Sequence, residues 1–134
     1  RLGRNSLGLI LFTNDEQMHA KFTNSKHGVT RLFHMELDKP LKFEHLKSIQ
    51  EGFKYEGKHV TVEAISYIEG SPKNELGLQI KNTGNTILRM IFDHFKYEIV
   101  KMDCVTIGPL SKKDLPRGHW KHLTEQEISN LMML

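Results

Sequence analysis

Apolar and polar positions follow two rhythms along this chain, and the switches between them outline its elements. An unbroken apolar run from Leu7 to Phe12 stops at Thr13-Asn14-Asp15. This predicts a fully buried strand over Leu7–Thr13, ended by turn-forming residues. Asp15 stands where it can cap a short helix, Glu16 to Phe22, with Met18 and Phe22 on one face. Thr23-Asn24-Ser25 and Gly28 mark a loop. From Val29 the period becomes two: Val29, Arg31, Phe33 and Met35 fall on one side, and Thr30, Leu32, His34 and Glu36 on the other. That strand closes at Asp38-Lys39-Pro40. Phe43, Leu46 and Ile49, at i, i+3 and i+6, predict an amphipathic helix over Phe43–Gln50 with Gly52 as its stop.

The second half repeats the alternation. Val60 to Ile68 reads as a strand, and Glu69 to Asn74 as a hairpin-like connection into a second strand, Leu76 to Ile80. Beyond Gly84, helical spacing places Ile87, Ile91 and Phe95 on one face, with Leu88 and Phe92 beside it. Glu98 to Ile107 is a further strand, and a turn-rich loop from Gly108 to Gly118 leads to Trp120. Thr124-Glu125-Gln126-Glu127 is a capping-box start for a last helix to about Met133. The hairpin signals favour an α+β fold, with helices packed on a mixed, largely antiparallel sheet. No linker, repeat or low-complexity tract divides residues 1–134, so one domain is expected.

Composition narrows the function classes without choosing one. With 134 residues, 38% of them hydrophobic and 26% charged, the chain can bury one real core. No apolar run approaches the ~20 residues of a membrane span, and no basic-then-apolar leader precedes the first strand. Opening at Arg1 inside a patterned stretch suggests a piece of a longer chain. A single cysteine, Cys104, excludes an intrachain disulfide and a multi-cysteine zinc site, which makes a reducing, cytoplasmic compartment the expectation. The net charge of +3 is compatible with nucleic acid but does not demand it.

Isolated candidates for chemistry have plainer readings. His119 and His122 flank Trp120, but no acid or cysteine lies at a metal-ligand spacing, so they read as solvated or structural histidines. Cys104, beside Met102 and Val105, reads as a buried inert thiol. Asn82-Thr83-Gly84-Asn85 ahead of a helix could offer backbone N–H groups to a phosphate, although one glycine is a weak signal for that. Lys112 and Lys113, with Arg117 and Lys121, could touch a phosphate backbone; as a lone patch they read as a solvated loop.

Three separated motifs say more. Ile107-Gly108-Pro109-Leu110, Asp114-Leu115-Pro116-Arg117-Gly118-His119-Trp120 and Leu123-Thr124-Glu125 read IGPL…DLPRGHW..LTE. This resembles the C-terminal signature of bacterial RNA pseudouridine synthases of the RsuA/RluB/RluE/RluF group. The opening RLGRNSLGLILFTND, Arg1 to Asp15, fits that group's GRLDxxTxGLLLLTNDG in order, and ELDKPL, Glu36 to Leu41, resembles the strand end and turn after its lysine-threonine-tyrosine segment. The resemblance covers nearly the whole chain and implies a partial pseudouridine synthase-like catalytic domain. The matched stretch does not include the group's first catalytic-domain segment or the small N-terminal RNA-binding domain that some members carry.

What the resemblance implies is an enzyme that detaches uracil from its ribose in structured RNA, turns it and rejoins it through carbon, with neither metal nor organic cofactor. Ribosomal RNA is the expected partner. Such chemistry asks for a carboxylate acting on a flipped-out nucleotide, an arginine holding it ionised, an aromatic ring against the base and basic groups on the RNA backbone. Matched position by position, the group's nucleophilic aspartate falls on Gly3, its tyrosine on Phe33 with Arg31 in place of the lysine, and the aspartate's arginine partner on Arg89. Phe33 could still stack on a base. Arg1, Arg4, Arg31 and Asn85 are the expected RNA contacts, while three other basic positions have become Gly84, Thr86 and Met90. Gly3 has no side chain with which to attack. It therefore argues against catalysis by the chain as written and supports the alternative, an inactive relative that binds RNA or associates with the ribosome.

Overall fold

The structure is a computed structural model in which residues 6–23, 29–81, 85–113 and 115–133 are described. Most of the loop expected after Thr23, the Asn82–Gly84 part of the phosphate-loop candidate, and Arg1, Gly3 and Arg4 lie outside those residues. The sheet is assembled from β1 (Ser6–Gly8), β2 (Thr30–Leu37), β5 (Ala64–Tyr67), β6 (Glu75–Lys81), β7 (Ile99–Ile107) and β8 (Leu110–Ser111). Its order is β1-β7-β2-β6-β5, with β8 folded back onto β7. Only β1 and β7 run parallel; every other pairing in it is antiparallel. The α+β reading, with a mixed and largely antiparallel sheet, holds.

Alternation along β2 builds the core. Val29, Phe33, Met35 and Leu37 are buried, joined by Leu76, Leu78 and Ile80 from β6 and Ile99, Met102, Cys104 and Ile107 from β7. Two helices complete this cluster: α2 (Phe43–Glu51) through Leu46 and Ile49, and α3 (Asn85–His94) through Leu88, Ile91 and Phe92. Each large side chain removed from water here contributes about 1.5–3 kcal/mol against chain entropy. Phe43 belonged to the predicted apolar face of α2 but is exposed, because that helix buries only the two positions nearest the sheet.

Capping accounts for the two remaining helices. In α1 (Glu16–Thr23), the Asp15 carboxylate accepts from the amides of Gln17 at 2.9 Å and Met18 at 3.2 Å. In α4 (Glu125–Met132), the Thr124 hydroxyl accepts from the Glu127 amide at 3.1 Å, and the Glu127 carboxylate accepts from the Thr124 amide at 2.9 Å. Both predicted starts are therefore present, and each supplies partners for amides that have none within the helix.

Two expectations need correction. The strand expected over Leu7–Thr13 pairs only as Ser6–Gly8 and is not fully buried. Gly8, at φ 98°, ends the ladder, after which the Leu9 amide makes one more bond to the Cys104 carbonyl at 3.0 Å. Leu9 and Leu11 then lean on the core, whereas Ile10 is exposed and Phe12 is 87% exposed. β1 is an edge strand with one neighbour, so an unbroken apolar run here does not mean two covered faces. The strand expected over Val60–Ile68 divides in two. Its first part joins a separate hairpin, β3 (Phe53–Tyr55) with β4 (Lys58–Val60), and only Ala64–Tyr67 enters the main sheet as β5. The hairpin turns through Glu56 at φ 49° and Gly57 at φ 80°, the two positive values that a tight two-residue turn requires.

Candidate functional site

The N-terminal end of β2 is where the chain gathers its candidate residues. Thr30 pairs with Lys81 at the end of β6, and its carbonyl accepts from the Gly108 amide, at the β7–β8 turn, at 2.8 Å. α3 starts at Asn85, only a few residues after Lys81. One end of the sheet thus collects the start of β2, the approach to α3 and the root of the loop that follows β8.

Arg31 and Phe33 share a face of β2, as the alternation required. Arg31 lies opposite Ile107 on β7 and Ile80 on β6; Phe33 lies opposite Cys104 and Leu78. Between these two rows β7 carries an extra residue, Val105, and such a bulge re-aims the side chains around it. Phe33 is 4% exposed and belongs to the core cluster. Stacking on a base asks for an open ring face, and this ring is closed over, so a base reaching it must first displace the side chains that cover it.

Cys104, across from Phe33, donates its thiol to the Thr106 carbonyl at 3.5 Å. Burial pushes this thiol up to about 11, with the nearby Arg31 charge pulling the other way. It stays protonated at neutral pH and is no nucleophile. Arg89 comes from the first half of α3, half-buried beside the fully buried Leu88. Asn85 is the first residue of that helix. Arg31, Phe33 and Arg89 are therefore carried by elements that meet at one end of the sheet, whereas Arg1, Gly3 and Arg4 fall outside the described residues.

The opposite face of the sheet carries a polar group that periodicity alone did not single out. His34 Nε2 lies 3.1 Å from Glu75 Oε1, and Lys112 Nζ lies 2.5 Å from Asp103 Oδ2. His34, Glu75 and Asp103, with Glu36 and Lys101, line a shallow depression. The signal was available as the polar half of each alternating strand; only the register could show that His34 stands beside Asp103, and Glu36 beside Lys101. Among the described residues no metal-ligating trio comes together, and no helix is long and apolar enough to cross a membrane.

The fold is that of a pseudouridine synthase. It matches a solved pseudouridylate synthase with a TM-score of 0.79, at 22% identity, over 97% of this chain and 56% of that one. The chain is a relative of the RluF/RsuA type of RNA pseudouridine synthases, as its motifs implied. It is 25% identical over 134 residues to the dual-specificity RNA pseudouridine synthase RluF of Escherichia coli, covering all of this chain and 45% of that protein. It is 24% identical to an uncharacterized RNA pseudouridine synthase of Aquifex aeolicus, and 23% identical to the ribosomal small subunit pseudouridine synthase A of Vibrio vulnificus. No protein-family model matches it. The chain spans about half the length of the curated relatives it matches.

Proposed function

We propose that this chain forms part of an RNA pseudouridine synthase and receives a uridine of structured RNA at the Thr30 end of the sheet. The observation that carries the proposal is the similarity running along the entire chain to proteins named for RNA pseudouridine synthesis. On this reading Arg89 holds a carboxylate or a phosphate, Phe33 is the floor against which the base is set, and Arg1, Arg4, Arg31 and Asn85 contact the RNA. Ribosomal RNA is the proposed substrate, since a Vibrio vulnificus relative carries the ribosomal small subunit in its name. A cytoplasmic site of action fits that partner.

One sequence observation favours a second reading, a relative that keeps the fold and binds RNA without catalysis. Gly3 occupies the place matched to the nucleophilic aspartate, and removing a covalent nucleophile costs orders of magnitude in rate. Incubating the chain with ribosomal RNA transcripts and mapping pseudouridine separates the two. Site-specific conversion by the chain as written supports the synthase. No conversion, with trace activity or a 5-fluorouridine RNA adduct gained by Gly3→Asp, supports the silent relative. Absence of RNA binding in both forms refutes both.

A further inference from the structure

The loop between β8 and α4 is unlike the rest of the surface. It runs Lys112-Lys113 through Arg117, His119, Trp120, Lys121 and His122. Trp120 is 76% exposed, in edge contact with the His122 ring at 5.2 Å, and it is the protein's sole tryptophan. An indole this open loses the hydrophobic gain that normally places tryptophan. Two of the neighbouring cations are committed elsewhere, Lys112 to Asp103 and Lys121 to Glu127 at 3.6 Å. Lys113 and Arg117 form no ion pair among the described residues and stand in solvent. Turns hold the loop in shape, with the Leu115 amide bonded to the Lys112 carbonyl and the His119 amide to the Pro116 carbonyl. Its root, Ser111, pairs with Thr106 at the Thr30 end of the sheet, where Arg31 lies.

We propose that Trp120, with Lys113 and Arg117, is a stacking platform for an unpaired base of RNA, outside the position where uridine is received. The occupant follows from the chemistry. A flat apolar face takes a base of any sequence, and free cations a few residues away take the flanking phosphates. The loop that carries it is rooted at Ser111, whose partner Thr106 lies beside the Arg31 end of β2, and a strand held at that end has the platform's loop as its neighbour. The proposal rests on the RNA reading above, and the test keeps the two apart.

The sole tryptophan reports on its own site. Unlabelled oligouridylate and a hairpin with an unpaired loop are titrated against indole emission, while fluorescently labelled copies of both are followed by anisotropy. The expected result is red, acrylamide-accessible emission in the free chain and quenching that saturates in step with anisotropy. Trp120→Ala should weaken anisotropy-detected binding about 5- to 150-fold, and Trp120→Phe less, with melting unchanged. Lys113→Gln with Arg117→Gln should lower the slope of log affinity against log salt by about 1.4, two single-strand phosphate contacts. RNA bound with unaltered emission, or Trp120→Ala binding as well as the parent, overturns the platform and leaves the RNA reading standing. Blue, shielded emission in the free chain also overturns it, by showing the indole covered by protein. No anisotropy change at all refutes the RNA reading itself, and the platform with it.

Discussion

Gly8→Ala tests how closely β1 is pressed against β7. Gly8 has φ 98°, and a Cβ placed there would lie 2.2 Å from the Cys104 carbonyl oxygen, 2.5 Å from its nitrogen and 2.7 Å from Asp103 Oδ1. Two of these three atoms are backbone of the neighbouring strand and cannot turn aside. A left-handed conformation costs a non-glycine residue about 1–2 kcal/mol, and forcing a methyl into a filled site adds about 1–3. The sum is about 3 kcal/mol, which for a domain of this size lowers Tm by about 10 °C. Gly57→Ala is the control. Gly57 has φ 80° but nothing within 4 Å of its added Cβ, so only the conformational part applies, about 1–2 kcal/mol. β1 can also yield by lifting away, which limits the global loss to what its docking contributes. In that case the Leu9 amide, bonded to the Cys104 carbonyl, exchanges faster. Thermal melts by circular dichroism and amide exchange read both routes. The reasoning is refuted if Gly8→Ala melts with Gly57→Ala and leaves Leu9 as protected as in the parent.

Other measurements address the core, the sheet face and the last helix. Burial raises the Cys104 thiol from 9.0 to about 11, so between those values the folded chain holds a proton the unfolded chain has lost. Stability should then fall as pH rises through that window, by up to about 2–3 kcal/mol. An equal alkaline slope in Cys104→Ala counts against this. Lys112→Met strands the Asp103 carboxylate, 14% exposed and with Oδ1 unpartnered among the described residues. With Lys112 itself 41% exposed, solvent screening holds the loss to about 1 kcal/mol in urea melts. Adding Asp103→Asn should recover part of it, and no recovery would show that the charge is not the cause. Thr124→Ala removes the hydroxyl half of the capping box and should cost about 1 kcal/mol. Hydrogen bonding from the Thr124 amide holds the Glu127 carboxyl below its ordinary range, so that contribution is present at neutral pH and fades as pH falls through the lowered value. That amide survives in Thr124→Ala, so the acid-sensitive part belongs to Glu127: the deficit of Glu127→Ala should narrow in acid, and a constant deficit refutes the pairing.

Where local pattern and tertiary demand coincide, the chain is readable. β2 and α3 could be drawn from periodicity because each buries one face, and the capping residues at Asp15 and Thr124 announce two helix starts. The run from Leu7 misled because apolar character does not say how many neighbours a strand has. The division of Val60–Ile68 is signalled only from its flank, where Glu56-Gly57 between Tyr55 and Lys58 is a two-residue hairpin signal. At the candidate site, alternation put Arg31 and Phe33 on one face. It could not show that Phe33 is closed over, since burial depends on which other parts of the chain pack against that face. The pairing of His34 with Glu75 and of Asp103 with Lys112 needed register, a property of two strands at once.

The parallel pairing of β1 with β7 also has a consequence for synthesis. The partners Ser6 and Met102 are roughly a hundred residues apart, whereas β5 and β6 pair across a short connection. During translation the Leu7–Phe12 run leaves the ribosome ahead of β7 and cannot make this pairing until β7 has been made. For several seconds at ordinary elongation rates it is an apolar ribbon open to chaperones and to other nascent chains. The return of β1 to the sheet, like the pairing of β2 with β7, is then a late long-range step of folding.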